Sequence, residues 1–244
     1  MPVLSVDLAY VDYRDVGIAV LETADGGTAC RFVPVALRDS PSPDGLAKYL
    51  DRLSADSGAS HMLIDGPQGW KDPDNGLPHS RRCERTLNPP AKTGLPGTVK
   101  PANYGPYVAF SIALYERLTG AGWQLFQNEG AAPRDATRRV LVESFPLSAW
   151  RSLSIPGLPA KKNAGPSDLE ERLTALHDVF PLEVASEPNH DELQALVAGL
   201  AGVALERDAV ADVAAAGVAP FRLAGSWREG FIVNPRRPTG ARAA

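Results

Sequence analysis

Three carboxylates stand where an otherwise apolar strand should end: Asp7 in SVDLAY, Asp65 in LIDGP and Glu143 in LVESFP. A single acid in such a place is ordinarily a solvated residue or a turn or helix cap. Three of them call for a shared explanation, because a carboxylate inside an apolar strand is costly unless it meets a partner or a metal. Hard divalent cations such as Mg²⁺ take carboxylate oxygens and retain waters. In two-metal sites, clusters of acids activate a nucleophile and stabilise a leaving oxygen. A metal-free pair of acids would instead do general acid–base work, as in glycoside hydrolysis. Three or four acids exceed what that pair needs, which favours the metal.

The elements that must position these acids follow from hydrophobic period. Residues 2–8 (PVLSVDL) read as a short buried strand. Residues 16–21 and 28–37 read as two more, with Asp25-Gly26-Gly27 as the hairpin signal between them. Over residues 43–56 the period changes, and Leu46, Leu50 and Leu53 fall on one helical face. Residues 61–65 (HMLID) form a fourth strand stopped by Gly66-Pro67. From 66 to 105 the chain is rich in Pro and Gly, with only 80–87 helical, and a connection of that length is expected to be functional or mobile. A helix over 107–118 carries Val108, Ile112 and Tyr115, and 140–145 (VLVESF) is a fifth strand ended by Pro146. Helices follow over 167–179 and, most strongly, over about 191–215, where Leu193, Leu196, Val197, Leu200, Val203 and Ala204 form one stripe. Residues 230–233 make a last strand.

A three-strand antiparallel meander followed by α/β units predicts an α/β fold with a mixed sheet flanked by helices. Without internal repeats or a linker, one domain is expected over 1–235, with a Pro/Gly-rich insertion at 66–105 and a loose basic tail at 236–244. At 244 residues the chain is long enough for a large core, and 44% hydrophobic with 22% charged residues is an ordinary globular composition. The net charge of -4 exerts no global pull on nucleic acid, so any basic footprint must be local. Cys30 and Cys83 fit neither a disulfide framework nor a zinc pattern. No apolar run approaches membrane-spanning length, and Asp7 interrupts the first one, so a soluble cytoplasmic protein is expected.

Local basic clusters do exist. Arg81, Arg82, Arg85, Lys92 and Lys100 stand against the single acid Glu84, and Lys161 and Lys162 form a second group followed by Arg172. Beside an acidic metal centre, Arg81, Arg82, Arg85, Lys161 and Lys162 would hold phosphate oxygens; otherwise they are solvated loop charges. Trp70, Tyr104 and Tyr107 flank the long loop, where they either stack on bases or pin the loop to the body.

The order of elements is similar to that of the ribonuclease H-like fold, in which acids on the first and fourth strands and on a later helix hold catalytic metals. More narrowly, the sequence resembles the DUF429 family, described as predicted ribonuclease H-like nucleases. The resemblance lies in VDLAY, IDGPQGW (64–70), RRCERTL (81–87), ESFP (143–146), AKKNAG (160–165), HDELQALVAGLAG (190–202) and EGFIVNP (229–235), which span most of the chain in consistent order. It implies a nuclease dependent on Mg²⁺ or Mn²⁺ and centred on Asp7, Asp65 and Glu143, with a fourth acid from the last helix. Related folds place an aspartate directly before an Ala-Leu pair there. This chain has Gln194, a poorer Mg²⁺ ligand, before Ala195 and Leu196. Asp191, one turn earlier on the same face, is the candidate fourth ligand. His190 is either a base or water orienter, or a solvated helix-start residue.

These features predict a metal-dependent phosphodiester hydrolase acting on nucleic acid. The alternative, motivated by Gln194, is a catalytically weakened module on the same fold that binds nucleic acid or protein. An actin-like ATPase or sugar kinase shares the topology, but requires duplicated domains and Gly-rich phosphate loops that Asp25-Gly26-Gly27 does not supply.

Overall fold

The computed structural model describes residues 1–128 and 138–238. Its elements are β1 (Val3–Asp7), β2 (Gly17–Ala24), β3 (Gly27–Phe32), α1 (Pro43–Ser57), β4 (His61–Asp65), α2 (Arg82–Leu87), α3 (Gly105–Gly120), β5 (Gln124–Leu125) and β6 (Val140–Ser144), followed by α4 (Pro146–Ser152), α5 (Pro166–Val179), β7 (Leu182–Val184), α6 (His190–Glu206), β8 (Val213–Leu223) and β9 (Ser226–Pro235). Among the described residues the strands join in one nine-stranded sheet of order β7-β3-β2-β1-β4-β6-β9-β8, with β5 beside β6. β1, β2 and β3 form an antiparallel meander. On the other side of β1, strands β4, β6 and β9 add in parallel. This is the ribonuclease H-like mixed sheet expected from the sequence.

Strand alternation divides the core between the two faces. Val3, Leu21, Leu63 and Val142 point to α6 and meet Leu193, Leu196, Val197 and Leu200. Leu4, Val6, Ile18, Met62, Ile64 and Leu141 point the other way, onto Leu46 and Leu50 of α1 and Leu114 and Leu118 of α3. Two glycines let α6 lie close to the sheet. A Cβ on Gly199 would come 2.5 Å from Leu21, and one on Gly202 2.3 Å from Leu63. Among the described residues no helix is long and apolar enough to cross a membrane.

Five elements depart from the sequence expectation. α6 ends at Glu206, not near 215, and the Ala-rich segment after it is β8. The chain reverses through Asp208 (φ 56°), and Ala214, Ala215 and Ala216 pair with Asn234, Val233 and Ile232. Pairing with a neighbour here overrides the helical preference of alanine. Pro146 ends β6 but also opens α4 as its first residue, where a missing N–H costs nothing. β7 is a three-residue edge strand and β5 spans only two residues, too short to leave a periodic signal. Of the expected tail, Arg236 donates its backbone N–H to Asp212 at 2.7 Å, while 239–244 lie outside the described residues.

Candidate active site

Register decides which of the strand-end groups meet. Asp7 pairs with Gly17 and Val6 with Ile64; on the far side of β4, Ile64 pairs with Glu143 and Asp65 with Ser144. Counting by two from the residues packed under α6 puts Asp7, Asp65 and Ser144 on the α6 face. Glu143 is one position out of phase and turns to the opposite face.

The fourth acid arrives from α6. Gly17, the partner of Asp7, has no side chain, and a Cβ there would lie 2.2 Å from the backbone carbon and oxygen of Asp191. The first turn of α6 therefore rests directly on β2 beside Asp7. Asn189 caps this end by accepting from the N–H groups of Asp191 and Glu192, each at 3.0 Å. The Asp191 carboxylate is ion-paired with Lys161, whose ammonium also reaches Asp15 at 2.7 Å. The His190 ring nitrogens lie 3.1 Å from Asp191 Oδ1 and 3.0 Å from the Pro159 carbonyl, so this residue is engaged by the site.

Asp7 and Asp65 stand at neighbouring strand ends, close enough for each carboxyl to shift the other. Burial pushes Asp7 well above the ordinary aspartate range; the charges of Asp65 and Asp191 push the same way, and Lys161 opposes them in part. Asp65 is pushed up to about 7, first by burial and then by the charge of Glu143. Ionising both carboxyls is therefore costlier here than for two solvated aspartates. Asp191 behaves differently. Burial disfavours its charge, but hydrogen bonds from His190 and Lys161 outweigh that and hold it below its usual value.

Glu143 has a different role. Arg81 donates to it through both terminal nitrogens, at 2.7 and 2.6 Å, and the Gln68 N–H adds a third bond at 3.0 Å. Arg81 also donates through Nε to Glu84 at 3.0 Å, and Glu84 in turn accepts from the Thr93 N–H and hydroxyl. Glu229, held at φ 48°, accepts from the backbone N–H groups of Asp72 and Arg82. Glu84, Glu143 and Glu229 are at most 2% exposed, and together they hold the long 66–105 connection against β6 and β9. That connection is thus a pinned structure, built on carboxylates. Arg81, read from sequence as a phosphate contact, is 1% exposed and engaged by two carboxylates. Arg82, Arg85 and Lys162 remain exposed, and Lys161 is half-exposed. Gln194, at the position where an acid was expected, accepts at 2.7 Å from the Trp150 indole N–H of α4.

A cleft of about 490 Å³ opens beside the aspartates. Asp65, Ser144, Glu143 and Arg81 contribute polar groups to it, and Tyr10, Tyr104, Tyr107 and Phe145 contribute rings. The Tyr107 hydroxyl donates to the Asp65 carbonyl at 2.9 Å, which fixes its ring beside that strand end. Ser144 is 1% exposed and its hydroxyl has no hydrogen-bond partner. Sequence reading passed over Ser144, Glu84 and Glu229. A signal for Ser144 existed in ESFP, but using it required the β4–β6 register, which is non-local.

Among the described residues no three His, Cys, Asp or Glu side chains are arranged to hold a metal ion. The Asp7–Asp65 pair does fit a hard divalent cation. Burial raises both carboxyls, and the charge of a bound cation would offset that cost of ionising them.

By structure the chain is similar to Thermus thermophilus RuvC, with a TM-score of 0.42 and 13% sequence identity, covering 85% of this chain and 96% of that one. It is also similar to T. thermophilus RuvC in complex with Holliday junction substrate, with a TM-score of 0.39, 11% identity and the same coverage of 85% and 96%. No curated protein matches the sequence. Residues 7–235 match the family described as "Protein of unknown function (DUF429)", a span that takes in both strand-end aspartates, the pinned connection and α6. The chain belongs to the DUF429 family.

Proposed function

We propose that the protein is a divalent-cation-dependent phosphodiester hydrolase acting on nucleic acid, with Asp7 and Asp65 holding Mg²⁺ or Mn²⁺ and Asp191 joining them once the ion displaces Lys161 from its carboxylate. The observation that carries this reading is the meeting of Asp7 and Asp65 at neighbouring strand ends, with Asp191 set beside them by Gly17. A divalent ion held there supplies Lewis acidity toward a phosphoryl oxygen. Around it, Lys161 offers a half-exposed ammonium to a phosphate, and exposed Arg82, Arg85 and Lys162 offer further contacts to a strand. Glu143 and Arg81 act by holding the cleft wall in place.

Asp7→Asn and Asp65→Asn are each expected to abolish Mn²⁺-dependent cleavage across a panel of DNA and RNA substrates, together with the calorimetric heat of Mn²⁺ binding. Equal trace cleavage by wild type and both variants would refute the proposal. The second reading, a binding module, is favoured by one feature: Lys161 already neutralises Asp191. It predicts salt-dependent nucleic-acid binding with no heat of Mn²⁺ binding in the wild type.

A further inference from the structure

The cleft beside Asp65 carries features that the hydrolase reading leaves unused. Its wall is unusually aromatic for a site expected to handle a charged backbone. Tyr10 and Tyr107 face each other with ring centroids 6.1 Å apart and planes at 60°, and Tyr104 and Phe145 complete the lining with Pro67, Pro89 and Pro90. Tyr104 and Tyr107 do pin the loop, since they pack against Val99, Val108 and Ile112. The same two rings also line the cleft, so they serve both purposes. A volume of about 490 Å³ falls in the range that takes a single small-molecule-sized group. A double helix cannot place a ring in such a space, because its bases are stacked inside; only an unpaired or extruded base can enter. The second observation is at the floor. Ser144 is among the cleft residues, and its hydroxyl lies buried behind the surface without the hydrogen bond that a buried polar group ordinarily makes.

We propose that this cleft receives one unpaired nucleobase of a single strand, stacked among Tyr10, Tyr104, Tyr107 and Phe145. The inference rests on the phosphodiesterase reading for the placement of the adjoining phosphate beside Asp7 and Asp65. It makes the substrate a single-stranded or locally opened nucleic acid. Because the Tyr107 ring is fixed through its hydroxyl, little ordering is needed when a base enters.

The test is binding by fluorescence anisotropy, using the full chain, a labelled 12-nucleotide single strand and the blunt duplex of the same sequence, at fixed salt with EDTA present. The single strand is expected to bind at least tenfold more tightly than the duplex. Tyr104→Ala is expected to weaken single-strand binding about 5- to 100-fold, the loss typical of one stacked base, while Tyr104→Phe retains it. Should Tyr104→Ala fail to fold, Tyr10→Ala takes its place. Equal or tighter duplex binding would overturn the proposal, as would folded ring variants with unchanged affinity. Competition by a nucleoside monophosphate as strong as that by the strand would also overturn it, by making the ligand a free nucleotide. With no metal present, these outcomes are independent of cleavage: ring-dependent strand binding without Mn²⁺-dependent cleavage would leave the cleft assignment standing and remove the hydrolase.

Discussion

Glu143→Gln separates a metal ligand from a structural anchor, because the two roles predict opposite changes in stability. Glu143 is 2% exposed and faces the Arg81 guanidinium in a two-bond pair at 2.6 and 2.7 Å. Removing one charge from a buried pair costs about 3–5 kcal/mol, mostly from the charge left behind. Glu84 still faces Arg81 Nε at 3.0 Å, so the lower end, about 3 kcal/mol, is the appropriate figure. For a chain of this size 1 kcal/mol moves the melting temperature by roughly 2–4 °C, which gives a fall of about 6–12 °C. A carboxylate that served a metal would behave in the reverse sense. Glu143 already repels Asp65; were that repulsion not outweighed by the Arg81 pair, neutralising Glu143 in the metal-free protein would leave the melting temperature unchanged or raise it. Differential scanning calorimetry at pH 7, with EDTA and with Mn²⁺, reads both terms. The double variant Arg81→Met/Glu143→Leu is expected to recover part of the loss, since neither charge is then left alone. A melting temperature in Glu143→Gln at or above wild type, combined with lost Mn²⁺ binding, would refute the anchoring role and restore Glu143 to the metal site.

Other outcomes follow from the same geometry. Folding raises the pKa of Asp65 from 3.8 to about 7, and raises that of Asp7 as well, so between those pH values the folded chain binds more protons than the unfolded one. Stability of the metal-free protein should therefore fall as pH rises from about 4 to about 7, and Asp65→Asn should flatten that slope. Urea midpoints at pH 5 and pH 8 measure this, and a flat wild-type profile would count against the buried pair. Gly17→Ala puts a Cβ 2.2 Å from the backbone of Asp191, where no flexible side chain can yield. It should destabilise the fold by about 1–3 kcal/mol and weaken Mn²⁺ binding by displacing Asp191. An unchanged denaturation midpoint and Mn²⁺ affinity would show that this glycine does not set the approach of α6.

The elements around the aspartates were legible locally. β1, β4 and β6 are short apolar runs with clear stops, and α1, α3 and α5 begin and end within a few residues of where hydrophobic period places them. Such signals lie within a dozen residues of the chain, so they survive without tertiary context. The C-terminal half of the expected last helix did not survive, because the Ala-rich stretch is committed to β8 only by pairing with β9, which follows it in the sequence. The same distinction governs the site. That Asp7, Asp65, Glu143 and Asp191 are candidates can be read from their types and flanking residues alone. Which of them meet depends on register, and a shift of one residue sends a side chain to the other face of a sheet. Glu143 pairs with Ile64 while Ser144 pairs with Asp65, so the acid turns toward Arg81 and Ser144 takes the sheet face that carries the aspartates. The sequence alone determined the acidic strand ends. Only the folded sheet decided that two of them meet at neighbouring strand ends, a third is held near by a glycine, and the last closes a buried ion pair under the cleft.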